Sequence, residues 1–99
     1  MVAGGLKTKL YLVEYGGFDT HDAQVDLNDH TQGQHNYLLS QISDAVKAFM
    51  DDCDGLDIAD RVLGMTFSEF GRRVLSNASG GTDHGTSAPM FLFGNHVNG

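Results

Sequence analysis

Three short polar pairs are the residues of this chain whose types suit chemistry: Asp19 with His21, Ser68 with Glu69, and Asp83 with His84. Carboxylate oxygens and imidazole nitrogens together suit zinc, manganese or iron, whereas calcium and magnesium sites usually contain no histidine. A mixed Asp/Glu/His centre holding a divalent metal, drawn from Asp19, His21, Glu69, Asp83 and His84, is therefore the sharpest expectation. Each pair also has an ordinary structural use. Asp19 or Thr20 could cap a turn or helix start, Ser68 could be an N-cap with Glu69 in the first turn, and Asp83 could close a turn after Gly80-Gly81. Arg72 and Arg73 follow Glu69 by three and four residues. On a helical turn one of them could pair with Glu69, or one, with Arg72 the candidate, could bind an anionic substrate group, as guanidinium does for phosphate or sulfate.

The elements that must position these pairs can be read from periodicity. Lys9 to Tyr15 (KLYLVEY) clusters β-favouring residues and stops at Gly16-Gly17, so a first strand is expected there, running into a long polar loop over 18–34. Leu38, Leu39, Ile42, Ala45, Val46, Phe49 and Met50 recur at three- and four-residue steps, which predicts a helix from His35 to Cys53 with its apolar stripe facing a sheet. Asp51, Asp52 and Asp54 crowd its end, and Gly55 is the expected left-handed cap. Arg61 to Phe67 (RVLGMTF) reads as a second, buried strand, and the order strand, helix, strand predicts a parallel βαβ unit. One helical turn is expected around Arg72–Leu75. A third strand is expected at Met90–Phe93, antiparallel to the second because no crossover helix precedes it. This order brings the three polar pairs to one sheet edge, where neighbouring strands lie about 4.8 Å apart. His30 and His35 flank the helix start as partners of the site or as ordinary solvated residues, His96 has no expected role, and Cys53 is expected to pack as a small hydrophobe.

Composition narrows the function classes. The chain has 99 residues, 40% hydrophobic and 19% charged, with one proline, which suits one small α/β domain or a piece of a larger one and rules out two independent cores. Thirteen acids against six bases give a net charge of −7, which argues against a nucleic-acid partner, since gripping a phosphate backbone needs a Lys/Arg surface. One cysteine allows neither an internal disulfide nor a thiolate zinc site. No apolar run approaches the ~20 residues of a membrane span, and the first ten residues contain no secretory signal.

At GGFDTHDAQ (16–24), TFSEFGRR (66–73) and GTDHGTSAPMFLFG (81–94) the sequence resembles the bacterial domain-of-unknown-function 1501 family, a branch of the alkaline phosphatase and sulfatase superfamily. The three blocks, their order and the helix between the first two all fit, so the resemblance covers nearly the whole chain. It implies a three-layer α/β/α sandwich of alkaline phosphatase-like type with metal ions at the C-terminal sheet edge. Members of that superfamily hydrolyse or transfer phosphate and sulfate esters with a Ser, Thr or formylglycine nucleophile. By position, Asp19 and His21 match the Asp and His contributed after one central strand. Glu69 falls where many relatives have an Asp-His pair, and His84 matches the later single histidine. The nucleophile of such enzymes lies further upstream. Residues 1–99 are accordingly expected to form a single partial domain that contributes part of a metal site, with no catalytic residue of its own. The expected partners are the remainder of the parent domain and an anionic ester, with self-association through open sheet edges. Many family members carry a twin-arginine signal, which implies an exported bacterial parent. The competing class is a non-catalytic exported binding or structural protein that retains the fold.

Overall fold

The three- and four-residue apolar spacing does produce a helix. In the computed structural model, which describes residues 4–5 and 7–98, α1 spans Gln34–Gly55. Its start carries no side-chain cap: Gly33 precedes it at φ 127°, and the His35 N–H donates to the Gln24 carbonyl at 3.0 Å. A Cβ at Gly33 would lie 2.6 Å from the Val25 backbone, so glycine lets the helix begin directly against the preceding loop. The helix end differs from expectation. Gly55 is the last helical residue, and the left-handed position falls on Asp57 (φ 55°). Asp57 N–H bonds the Asp54 carbonyl and Ile58 N–H bonds the Cys53 carbonyl, the paired bonds of a Schellman turn. Asp can occupy this conformation because its short polar side chain tolerates it.

A short 3-10 helix, Ala59–Arg61, turns the chain back, and α1 packs against it. Cys53 and Ala59 are buried where the two meet, and Leu38 is the other buried apolar residue among those described. The stripe of α1 contacts neither sheet, which corrects the expected helix-on-sheet packing.

Four two-residue strands form two antiparallel pairs: β1 (Gly64–Met65) with β4 (Leu92–Phe93), and β2 (Gly71–Arg72) with β3 (His84–Gly85). The antiparallel third strand is as expected. Two expectations are corrected. Residues 9–15 form no strand, so the βαβ unit is not made; β-propensity measures fit to a half-covered pleated surface, and Leu10 and Val13 here are 86% and 87% exposed. No helical turn forms at Arg72–Leu75: Arg72 belongs to β2, and residues 74–75 form a bend. Gly71 disfavours helix and allows close pairing, since a Cβ there would lie 2.7 Å from the Gly85 carbonyl oxygen.

The architecture is therefore mixed α/β, one helix with two small antiparallel sheets. It is open. The accessible surface is 7865 Å², against roughly 5,500 Å² for a compact monomer of this mass. The radius of gyration is 16.4 Å, against about 13 Å for a compact domain of about 100 residues. No helix among the described residues is long and apolar enough to cross a membrane.

Candidate metal centre

The second strand pair sets the site. In its register Arg72 stands opposite His84, and Gly71 opposite Gly85, so the Arg72 and His84 side chains leave the same face of the ribbon. The loop joining the strands folds back on residues 18–24. Ala23 and Gln24 N–H donate to the carbonyls of Ser79 and Gly80, and Thr82 N–H donates to the Thr20 carbonyl. Asn77 ties the corner from within: its Oδ1 accepts from the N–H groups of Ser79 and Gly81, while its Nδ2 donates to the His21 carbonyl and to Asp83 Oδ1. Gly81 is buried against the His21 backbone, where any Cβ would collide with the carbonyl. Thr20, the one buried polar residue among those described, faces inward between two exposed neighbours, Asp19 and His21.

That alternation projects Asp19 and His21 together, and His84 meets them. Asp19 Oδ1 lies 2.9 Å from His84 Nε2 and 3.1 Å from His21 Nε2, and the two Nε2 atoms are 3.2 Å apart. Three ligand atoms thus form a nearly equilateral triangle with half-exposed side chains. An ion bonded at about 2.1 Å to all three would sit roughly 1 Å above their plane, with its far side open to a further ligand. Among the described residues this Asp/His triad is the group placed to hold a metal. If both Nε2–H groups donate to Asp19 Oδ1 they face each other at 3.2 Å, a contact in which neither accepts, whereas a cation would be bound by all three atoms.

The surroundings orient these atoms. Asp83 Oδ1 is 3.6 Å from His21 Nδ1, an ion-pair distance on the side of the ring away from the triad, the position of a carboxylate that steers a metal-binding histidine. Phe70 stacks on the His84 ring at 4.0 Å between centroids. Arg72 Nη2 donates to Asp19 Oδ1 at 2.8 Å. The Asp19 carboxyl is held below the usual carboxylate range, chiefly by the His84 hydrogen bond, against some desolvation, with the charges of His21, His84 and Arg72 adding to it. Asp83 is lowered as well, first by the Asn77 hydrogen bond, against some desolvation, then by His21 and Arg73.

Of the residues expected at the site, Asp19, His21 and His84 come together, and Asp83 stands behind His21. Glu69 is exposed and lies outside the triad. Arg72 pairs with Asp19 instead of Glu69, and Ser68 caps no helix but donates to the Phe70 carbonyl. His35 lies edge-on to Phe18, its Nδ1 buried without a partner, and His30 and His96 are exposed. Cys53 is buried, as a small hydrophobe would be. Phe70 and Asn77 were missed by sequence reasoning. The stretch Asn77-Ala78-Ser79-Gly80-Gly81 is a turn signal that could have revealed the hairpin and, through it, both residues.

A family model described as "Protein of unknown function (DUF1501)" matches residues 7–99. No curated protein and no solved structure matches the chain.

Proposed function

The chain belongs to the DUF1501 family, and from that premise we propose that it binds a zinc or manganese ion through Asp19, His21 and His84 and so supplies part of the metal site of a larger alkaline phosphatase-like domain. The observation that carries this reading is the triangle of three ligand atoms, 2.9, 3.1 and 3.2 Å apart, with one open side. A bound divalent ion would polarise a phosphoryl or sulfuryl oxygen and lower the pKa of a coordinated nucleophile or water. The chain's own part is to present Asp19, His21 and His84 at fixed separations, with Asp83 steering the His21 ring and Phe70 the His84 ring. No nucleophile is assigned to these residues.

The larger-domain part of the proposal draws support from apolar surface. Leu10, Leu12 and Val13, the Leu39 and Phe49 side of α1, and Met65, Phe91 and Leu92 on the β1–β4 ribbon are all exposed. The outer layers of an α/β/α sandwich would cover such faces, each buried Leu or Phe being worth about 1.5–3 kcal/mol.

Isothermal titration of the chelator-treated chain with zinc and with manganese tests the metal reading. One ion per chain is expected, with His84→Ala weakening binding about tenfold or more and His96→Ala leaving it unchanged. Heats of dilution alone in the wild type would sink the reading and leave the metal-free, non-catalytic alternative. Hydrolysis of aryl phosphate or aryl sulfate by this chain should not exceed a metal-only control.

A further inference from the structure

Arg72 makes three side-chain hydrogen bonds at the site. Its Nη1 donates to the Thr82 carbonyl at 2.6 Å, and its Nη2 donates to the Phe18 carbonyl at 2.7 Å and to Asp19 Oδ1 at 2.8 Å. Phe18 immediately precedes the first ligand, and Thr82 lies two residues before the last. The guanidinium also lies over the Phe70 ring at 5.2 Å, and the same ring stacks on His84. Its side chain is only 18% exposed, while the Asp19 side chain is 55% exposed. Three of the five guanidinium N–H groups are thus turned onto the protein, two of them onto backbone carbonyls.

We infer that Arg72 is a positioning residue of the metal centre, fixing Asp19 by joining through one planar group the segments that carry the first and last ligands. This rests on the reading of Asp19, His21 and His84 as a metal triad. Of the groups that touch Asp19 Oδ1, Arg72 alone is not itself a ligand, so it alone can hold the carboxylate in place before an ion arrives and after it leaves. The β2–β3 register delivers it there, opposite His84 on the same face. Lysine would not substitute. An ammonium can keep one charge contact with Asp19 but lacks the rigid fork that reaches both carbonyls at once.

Cobalt(II), whose visible absorption reports ligand number and geometry, is the probe. The full chain would be titrated as wild type, Arg72→Ala, Arg72→Lys, Asp19→Asn and the Arg72→Ala/Asp19→Asn double variant, with the helical signal of α1 recorded for each. Arg72→Ala should weaken cobalt binding about 10- to 100-fold, and Arg72→Lys should recover little of it. The cobalt spectrum of Arg72→Ala should shift as that of Asp19→Asn does, and the double variant should bind no worse than the weaker single variant, because both changes remove one ligand. If Arg72→Ala loses the helical signal, Arg72→Lys carries the comparison. Wild-type affinity in the Arg72 variants, or a weakened affinity with a wild-type spectrum that adds to the Asp19→Asn loss, would overturn the inference and leave Arg72 a support of the fold. A wild type that takes up no cobalt would instead remove the metal reading itself, and this inference with it.

Discussion

The corner built from residues 18–24, 70–73 and 77–87 and the side formed by α1 with the β1–β4 ribbon are held by different means. In the corner, backbone and side-chain hydrogen bonds run from Asn77, Arg72 and Gln24 to residues far away in the chain, and glycines allow the strands and loops to touch. On the other side apolar residues are plentiful, yet Leu39, Phe49, Met65 and Phe91 stay exposed because no second layer faces them. Hydrogen bonds are directional and need only one partner at the right distance, so a few of them can define a small corner. Hydrophobic burial has no direction and needs an opposing surface.

The largest effect expected from this contrast comes at glycines. Gly81→Val places a side chain against the His21 carbonyl, which cannot yield without moving the ligand, so metal binding should be abolished in a zinc titration. Gly64→Ala on the apolar side first meets the Phe93 ring, a side chain that can turn, so its zinc affinity should match the wild type. Equal losses in both would break the comparison.

Next in size is metal linkage. Free metal at a hundredfold its dissociation constant should stabilise the folded corner by about 2.7 kcal/mol. In thermal unfolding after chelation and re-addition of zinc, His84→Ala should lose most of that shift and His96→Ala should keep it. The apolar side has a matching pair. Leu38 is 6% exposed and Leu39 37%, so Leu38→Ala should cost about 2 kcal/mol or more and Leu39→Ala under about 1 kcal/mol, read from denaturant unfolding. Similar costs would mean that a covering layer is present in solution, sharpening the contrast in the opposite direction.

The smallest effect concerns acid. Asp19 and Asp83 are lowered in the folded chain, so the folded state holds fewer protons than the unfolded state around and below the ordinary value near 3.8. Their contribution is fully present above that value and is lost as pH falls through the lowered ones. Both groups are solvent-exposed, so the loss should be slight, and Asp83→Asn should flatten it further in an acid titration followed by NMR of the corner amides. A steeper acid transition in Asp83→Asn would contradict the pairing of Asp83 with Asn77 and His21.

The helix was legible in the sequence because a 3.6-residue period needs no partner to be visible, and its ends were placed within two residues. Residues 9–15 read as a strand for an equally sound reason, but a strand exists only when another backbone pairs with it, and among the described residues none does. The triad residues Asp19, His21 and His84 were legible by chemical type. Their convergence was expected at the edge of a parallel sheet and occurs instead beside a two-residue antiparallel ribbon, because Gly71 and Gly85 let β2 and β3 pair. Helical i, i+3 and i, i+4 spacing offers one of Arg72 and Arg73 as a partner for Glu69. Once the segment is a strand, that spacing no longer relates Arg72 to Glu69, and the cross-strand neighbour His84 takes its place.

His21 and His84 are 63 positions apart, and Asp19 and His84 are 65. Loop-closure entropy rises by about 0.6 kcal/mol for each doubling of the loop, and contacts this distant slow the search for them. The bonds of α1 span four residues and form within about a microsecond, so the helix precedes the corner in folding. During synthesis from the N-terminus, Asp19 and His21 emerge long before His84 does. Any ion the triad holds is therefore acquired late, and a chain interrupted before His84 has only two of the three groups with which to keep it.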